Sequence, residues 1–283
     1  MVLTIIISII IFGILIFIHE FGHFITAKLF KVRVNEFALG MGPKIWGIKK
    51  GDTQYSLRAL PIGGYCAMEG EDAAGSGMTP TDGADDDMDV NSSATSVLSS
   101  AALSSASAAS VSFQDKPYYQ RAIILFAGSF MNLLFAYLIM FALVLYYMVV
   151  SGKYDIGFLF MRPIEIIGEM ARFMYEFIGQ LFVGKAPMDD LSGPVGIVQA
   201  VGESTKTGVS GVSFLAAIIS LNLAVMNLLP FPALDGGRLV FLLINKITGN
   251  RVGAKVESMF HVVGMALLFM LMIYVTFNDV LKM

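Results

Sequence analysis

Four stretches of this sequence are long and apolar enough to cross a bilayer, and they limit its fold before any other feature does. A bilayer core of about 30 Å needs roughly 20 consecutive apolar residues as helix. Val2 to Ile18 is uncharged and continues to Leu29 with only His19, Glu20, His23 and Lys28 intervening. Ala122 to Val150 is uncharged, Val212 to Leu229 carries only Asn222 and Asn227 as strongly polar side chains, and Val256 to Phe277 has Glu257 and His261 near its start. Over the 283 residues, 56% are hydrophobic and 14% charged, against about 25% charged in a soluble domain. That balance excludes a water-soluble domain and a disordered chain. The net charge of −3 leaves no basic footprint for nucleic acid, and the single cysteine, Cys66, excludes a disulfide scaffold. No basic residue precedes the first apolar run and no small-residue cleavage site follows it, so it reads as a span and not as a signal peptide.

Loop charges set the expected orientation. Lys28, Lys31, Arg33, Lys44, Lys49, Lys50 and Arg58 face only Glu36 and Asp52, whereas 151–209 holds five basic and seven acidic residues. Positive loops stay in the cytoplasm. Both termini are therefore expected outside the cell membrane, in an inner-membrane, multi-pass protein. Within 30–68, Phe37 to Trp46 and Thr53 to Leu60 read as strands joined by the turn Lys49-Lys50-Gly51-Asp52, with Pro61, Gly63 and Gly64 ending regular structure. This membrane-associated β-hairpin region is followed by an acidic and Ser/Ala-rich stretch, 69–115, expected to be a disordered cytoplasmic linker. In Pro163 to Val183 the polar residues Glu165, Glu169, Arg172, Glu176 and Gln180 share one helical face, with Ile166, Met170, Phe173, Phe177 and Leu181 opposite. An amphipathic helix lying in the outer interface fits this pattern. The expected fold is a mainly α membrane protein with four transmembrane helices, in 1–29, 116–150, 210–255 and 256–283. It adds the hairpin after the first span and the interfacial helix, within an extracytoplasmic segment 151–209, before the third.

Two of the three histidines lie in His19-Glu20-Phe21-Gly22-His23. On a helix, positions i and i+4 share a face, so both imidazoles can reach one ion. Glu20 can stand beside it and take a proton from water. Ionisable groups inside an apolar span are costly, and functional by default. A catalytic zinc takes three protein ligands and keeps one position open. No cysteine is placed to be the third, and His261, on a separate apolar helix, reads as hydrogen-bonded between helices or lining a cavity. A carboxylate at the same membrane boundary is needed, and Asp235 supplies it in Asn227-Leu-Leu-Pro-Phe-Pro-Ala-Leu-Asp-Gly-Gly-Arg238. Read alone, Asp235 also fits a helix cap.

The HExxH on a helix, the distant NxxPxPxLDGG and the four spans make the chain similar to the site-2 protease family of intramembrane zinc metalloproteases, of the bacterial RseP/RasP type. Gly40-Met41-Gly42, Pro61-Ile-Gly-Gly-Tyr65, Gly128-Ser-Phe-Met-Asn132 and Ser192-Gly-Pro-Val-Gly-Ile197 extend the likeness over nearly the whole chain. The resemblance implies one Zn2+ held by His19, His23 and Asp235, with Glu20 as general base and then general acid. It implies that Asn222 holds the substrate backbone, that Asn132 lies near the active site, and that the hairpin around Gly40, Met41 and Gly42 pairs with an unwound substrate by strand addition. Interhelical hydrogen bonding is the plainer reading of both asparagines. Family members usually carry PDZ domains between the second and third spans; the roughly forty residues available here are too few for one. Implied partners are the bilayer and single-pass membrane-protein substrates, anti-sigma factors or remnant signal peptides. The alternative is a membrane metal-binding or transport protein with the same ligands and no hydrolysis.

Overall fold

The computed structural model describes residues 2–71, 112–185, 193–249 and 253–281. Within these, four helices are long and apolar enough to cross a membrane. They are α1 (Val2–Leu29), α2 (Tyr118–Ser151), α5 (Val209–Asn227) and α7 (Ala254–Leu281). At most 33% of each span's most apolar window is buried inside the protein. Their outward side chains, Ile6, Ile10, Leu138 and Phe269 among them, need hydrocarbon to cover them. This is a multi-pass membrane protein.

Two strands follow α1: β1 (Val34–Lys50) and β2 (Thr53–Met68), joined by a turn in which Gly51 has φ +62°. They pair antiparallel from Lys50 opposite Thr53 to Gly47 opposite Ser56, and again from Leu39 opposite Gly64 to Val34 opposite Met68. Between these ladders, Glu36 to Leu39 also lies opposite Gln54 to Leu57. The start of β1 is thus flanked on both sides by β2, which requires both strands to bend. The bends fall at Gly40 (φ +88°), Gly42 (φ +85°) and Gly63 (φ +77°), a left-handed backbone that glycine adopts without steric cost. A Cβ on Gly40 would sit 2.5 Å from the Leu60 carbonyl oxygen. The expectation that Pro61, Gly63 and Gly64 end regular structure is therefore corrected: they turn β2, which continues to Met68.

A polar knot fixes the fold-over. Arg58 donates to the Gly42 carbonyl at 2.8 Å and to Glu36 at 2.9 Å, and Glu36 also accepts from Ser56 and from the Tyr65 hydroxyl at 2.6 Å. Burial pushes the Glu36 carboxyl up. The hydrogen bonds from Ser56, Tyr65 and Arg58 outweigh it and hold the group below the usual carboxylate range.

Residues 72–111 of the expected disordered linker lie outside the described residues, but its two ends are ordered. The Glu69 N–H donates to the Arg33 carbonyl, and the Phe113 N–H donates to the Glu69 carbonyl at 2.7 Å. Phe113 is buried in a core with Ala27, Val34, Phe37, Cys66, Ile124 and Leu125.

Among the described residues between the second and third spans stand two helices, α3 (Ile156–Phe182) and α4 (Pro194–Lys206), where only one was expected. In α3, Ile166, Ile167, Met170, Met174 and Ile178 pack on Ala136, Met140, Ala217 and Leu221 of α2 and α5. Phe173, expected on that face, is 69% exposed; the packed stripe follows i, i+4 steps and leaves Phe173 on its flank. The polar face carries the pairs Arg162–Glu165 and Arg172–Glu176. Through Val201, α4 meets Ile11 and Leu15 of α1 and Ile219 of α5. Its start is held from the far end of α7, where the buried Asp279 carboxylate accepts from Gly193 N–H and Gly196 N–H, both at 2.9 Å. Asp279→Ala leaves the buried Gly193 N–H and the half-buried Gly196 N–H without their acceptor, at about 1–3 kcal/mol. A thermal melt in detergent should show a midpoint several degrees lower, and an unchanged midpoint would refute the clamp.

Candidate metal centre

The HEFGH segment lies in the last third of α1, and Asp235 opens α6 (Asp235–Thr248) just after the third span. Pro230 and Pro232 stop α5 from continuing, and the short connection turns the chain back so that α6 begins beside α1. His19, His23 and Asp235 then converge: their ligand atoms lie within 4.8 Å of one another. His19 Nε2 is 3.2 Å from Asp235 Oδ2, His23 Nε2 is 3.3 Å from the same oxygen, and the two Nε2 atoms are 3.3 Å apart. A tetrahedral zinc with bonds of about 2.0–2.1 Å has its ligand atoms about 3.3 Å apart, so the three edges suit that ion.

The second nitrogens agree. His23 Nδ1–H donates to the Ile124 carbonyl at 2.8 Å, which puts the ring's proton on Nδ1 and leaves the Nε2 lone pair for a metal. The Asn132 side-chain amide lies 3.4 Å from His19 Nδ1, and Asn132 is fully buried. The backbone carbonyl of Asn132 accepts from Ser220 of α5 at 2.7 Å, tying the two spans together at this level.

Two glycines make room for the histidines. A Cβ on Gly22 would lie 2.4 Å from the Ala127 carbonyl oxygen, and one on Gly128 would lie 2.3 Å from His23 Nε2. The fourth residue of HEFGH and the first residue of GSFMN are therefore two halves of a single close helix crossing.

These residues line a cavity of about 300 Å³ together with Glu20, Asn132, Asn227, His261 and the β2 residues Gly63 to Cys66. Met41 also lines it, whereas Gly40 and Gly42 do not. Asn222 is half-buried and lies outside the lining. Asn227, not singled out above, takes a place there: its amide is 3.4 Å from His19 Nε2. Its position at the head of the NxxP motif was the available signal. Cys66 reaches the cavity wall but is not one of the converging ligands. Burial, with Glu20 nearby, pushes its thiol well above the ordinary value, so it stays protonated. Arg238, in the first turn of α6, pairs with Glu71 at the end of the hairpin region and joins the sheet to the helix that bears Asp235.

The family model for peptidase family M50 matches residues 7–271. The chain belongs to peptidase family M50. Relatives of this M50 peptidase include CA_C1796 of Clostridium acetobutylicum, 33% identical with 98% of this chain and 97% of the relative covered. Zinc metalloprotease RasP of Shouchella clausii and regulator of sigma-W protease RasP of Bacillus subtilis are each 26% identical, with 99% of both chains covered. The latter alignment runs over 416 positions against 283 residues here, so that relative has stretches without a counterpart in this M50 peptidase. Membership makes the protein an intramembrane zinc metalloprotease of the site-2 type.

Proposed function

We propose that His19, His23 and Asp235 hold the zinc, that Glu20 is the general base and acid, and that the enzyme cuts an extended stretch of a single-pass membrane protein. The convergence of three ligand atoms from α1 and α6 on one point beside Glu20 carries this reading. A zinc ion held by these three residues would supply Lewis-acid chemistry, polarising a scissile carbonyl and acidifying a water molecule. Glu20 accepts the proton of that water and returns it to the leaving amine. With His19 Nε2 directed at the metal, its Nδ1 carries the proton and needs an acceptor. Asn132 Oδ1 is buried without a partner among the described residues, and turning the amide by 180° presents that oxygen to Nδ1. Asn132 is then a positioning residue, and Asn227, on the cavity side of His19, faces the substrate in place of Asn222.

A helical substrate hides its carbonyls and must be extended before water can attack. Among the described residues, Gly64 to Met68 has ladder partners on the β1 side alone, and its other edge borders the cavity that contains Glu20. A Cβ on Gly64 would lie 3.2 Å from Glu20 Cγ, so a strand added to this edge passes the general base. Strand addition is thus assigned to the Gly64–Met68 edge, with Gly40 and Gly42 making the bend and Met41 closing the cavity. The basic residues on the loops support a cytoplasmic position for the catalytic end of α1. The relative named for sigma-W regulation suggests anti-sigma factors among the substrates, alongside remnant signal peptides.

The test is metal removal. Purified protein should contain one zinc per chain and cleave a model transmembrane substrate. A chelator should abolish cleavage, added zinc should restore it, and a substrate with a rigid, Leu-rich helix should resist. Undiminished cleavage by metal-free protein would overturn the assignment.

A further inference from the structure

Ala233, two residues before Asp235, has φ +75°, a left-handed conformation uncommon outside glycine. Its N–H donates to Nδ1 of His261 on α7, at 2.9 Å. Helix α7 is pressed onto the same loop one turn later, where a Cβ on Gly264 would lie 2.2 Å from Pro232 Cβ. Because Nδ1 accepts, the neutral ring carries its single proton on Nε2. His261 is 4% exposed, and its Nε2 has no hydrogen-bond partner among the described residues. The ring stands in the wall of the active-site cavity with Glu20, Asn227 and Asp235, and it also borders a smaller space of about 60 Å³ beside Arg238.

A buried N–H without an acceptor is uncommon in a folded protein and calls for a cause. Here the fixed tautomer turns the ring into a donor held ready at a catalytic cavity. An extended peptide lying on the Gly64–Met68 edge offers a row of carbonyl oxygens, the groups such a donor recognises.

We infer that His261 is a substrate-binding residue: Nε2–H donates to a backbone carbonyl of the extended substrate, while Nδ1 secures the loop that leads to Asp235. The inference rests on the protease reading above and adds a contact to it.

The two ring nitrogens can be tested separately. In His261→Asn the side-chain oxygen can take the place of Nδ1, but no donor reaches the Nε2 position; His261→Gln does the reverse. Binding is measured without turnover by placing each change in a Glu20→Gln background, in full-length protein in detergent. The probe is a fluorescein-labelled transmembrane peptide with a central Gly-Pro pair, and zinc content and melting temperature are recorded alongside. His261→Asn should keep its zinc and raise the Kd about tenfold or more. His261→Gln should leave the Kd within about twofold and lose zinc or melt earlier. An unchanged Kd in a folded, zinc-loaded His261→Asn protein overturns the inference. If that variant does not fold, a tenfold rise in the Kd of His261→Gln overturns it, and an unchanged Kd supports it. A wild-type protein without zinc-dependent cleavage would instead remove the protease reading, a result visible before any His261 variant is made.

Discussion

In Glu20→Gln the zinc stays bound and cleavage falls on the order of a thousandfold or more. Glutamine keeps the shape of glutamate and gives up only its ability to carry a proton in and out. Glu20 lines the cavity but is not among the three converging ligands, so metal content should remain at one ion per chain. General acid–base catalysis by one positioned group is worth about 10²–10⁴ in rate, and a thousandfold loss corresponds to about 4 kcal/mol of barrier. Zinc quantified by atomic emission, alongside cleavage of a transmembrane substrate, reads both quantities from one preparation. A protein that only stored or moved metal would be indifferent to this change. Wild-type cleavage by Glu20→Gln would remove the carboxylate from the mechanism.

Gly128→Ala should empty the metal site while leaving most of the fold in place. The added methyl would lie 2.3 Å from His23 Nε2, 2.6 Å from His23 Cε1 and 2.8 Å from His19 Cε1, nearer than packed carbon atoms approach. His23 has little freedom to retreat, since its Nδ1–H is held by the Ile124 carbonyl. Both imidazoles must shift, and ligand atoms spaced for bonds of about 2 Å do not tolerate that. Zinc content is expected to drop to about a tenth or less, with activity following it. The sign is informative, because in an unconstrained helix Gly→Ala is stabilising by about 1 kcal/mol. Gly13→Ala is the matched control on α1: a Cβ there meets nothing within 4 Å, so zinc content and activity should not change. Full zinc occupancy in Gly128→Ala would mean that the two spans cross less tightly than described.

The spans were legible in the sequence because their signal is local: a bilayer demands an uninterrupted apolar run, and each of the four runs became a helix. The pairing of His19 with His23 was legible for the same reason, since i and i+4 share a helix face whatever lies around them. Interactions between distant segments were not. Pro61, Gly63 and Gly64 look like terminators in isolation, and only the neighbouring Glu36–Leu39 segment makes them a bend within a strand. The tie between Asp279 and the Gly193–Gly196 turn joins groups more than eighty residues apart. Asn222 and Asn227 are both asparagines on one apolar helix. They differ only in rotation about its axis and distance from its end, which decide that Asn227 meets His19. The glycines of HEFGH and GSFMN can be read as a pair only after α1 and α2 are seen to cross there.

The hydrogen bond from Phe113 N–H to the Glu69 carbonyl, with Gly70 lying against Ser112, brings the departure and return points of the intervening chain together. Whatever is spliced between them starts and finishes on the same spot, so its length puts no strain on the helices or the sheet. Doubling such an excursion costs only about 0.6 kcal/mol of closure entropy. The protein thus carries a built-in grafting port beside the end of the hairpin, where an affinity handle or a fluorescent reporter would leave the converging side chains of His19, His23 and Asp235 undisturbed.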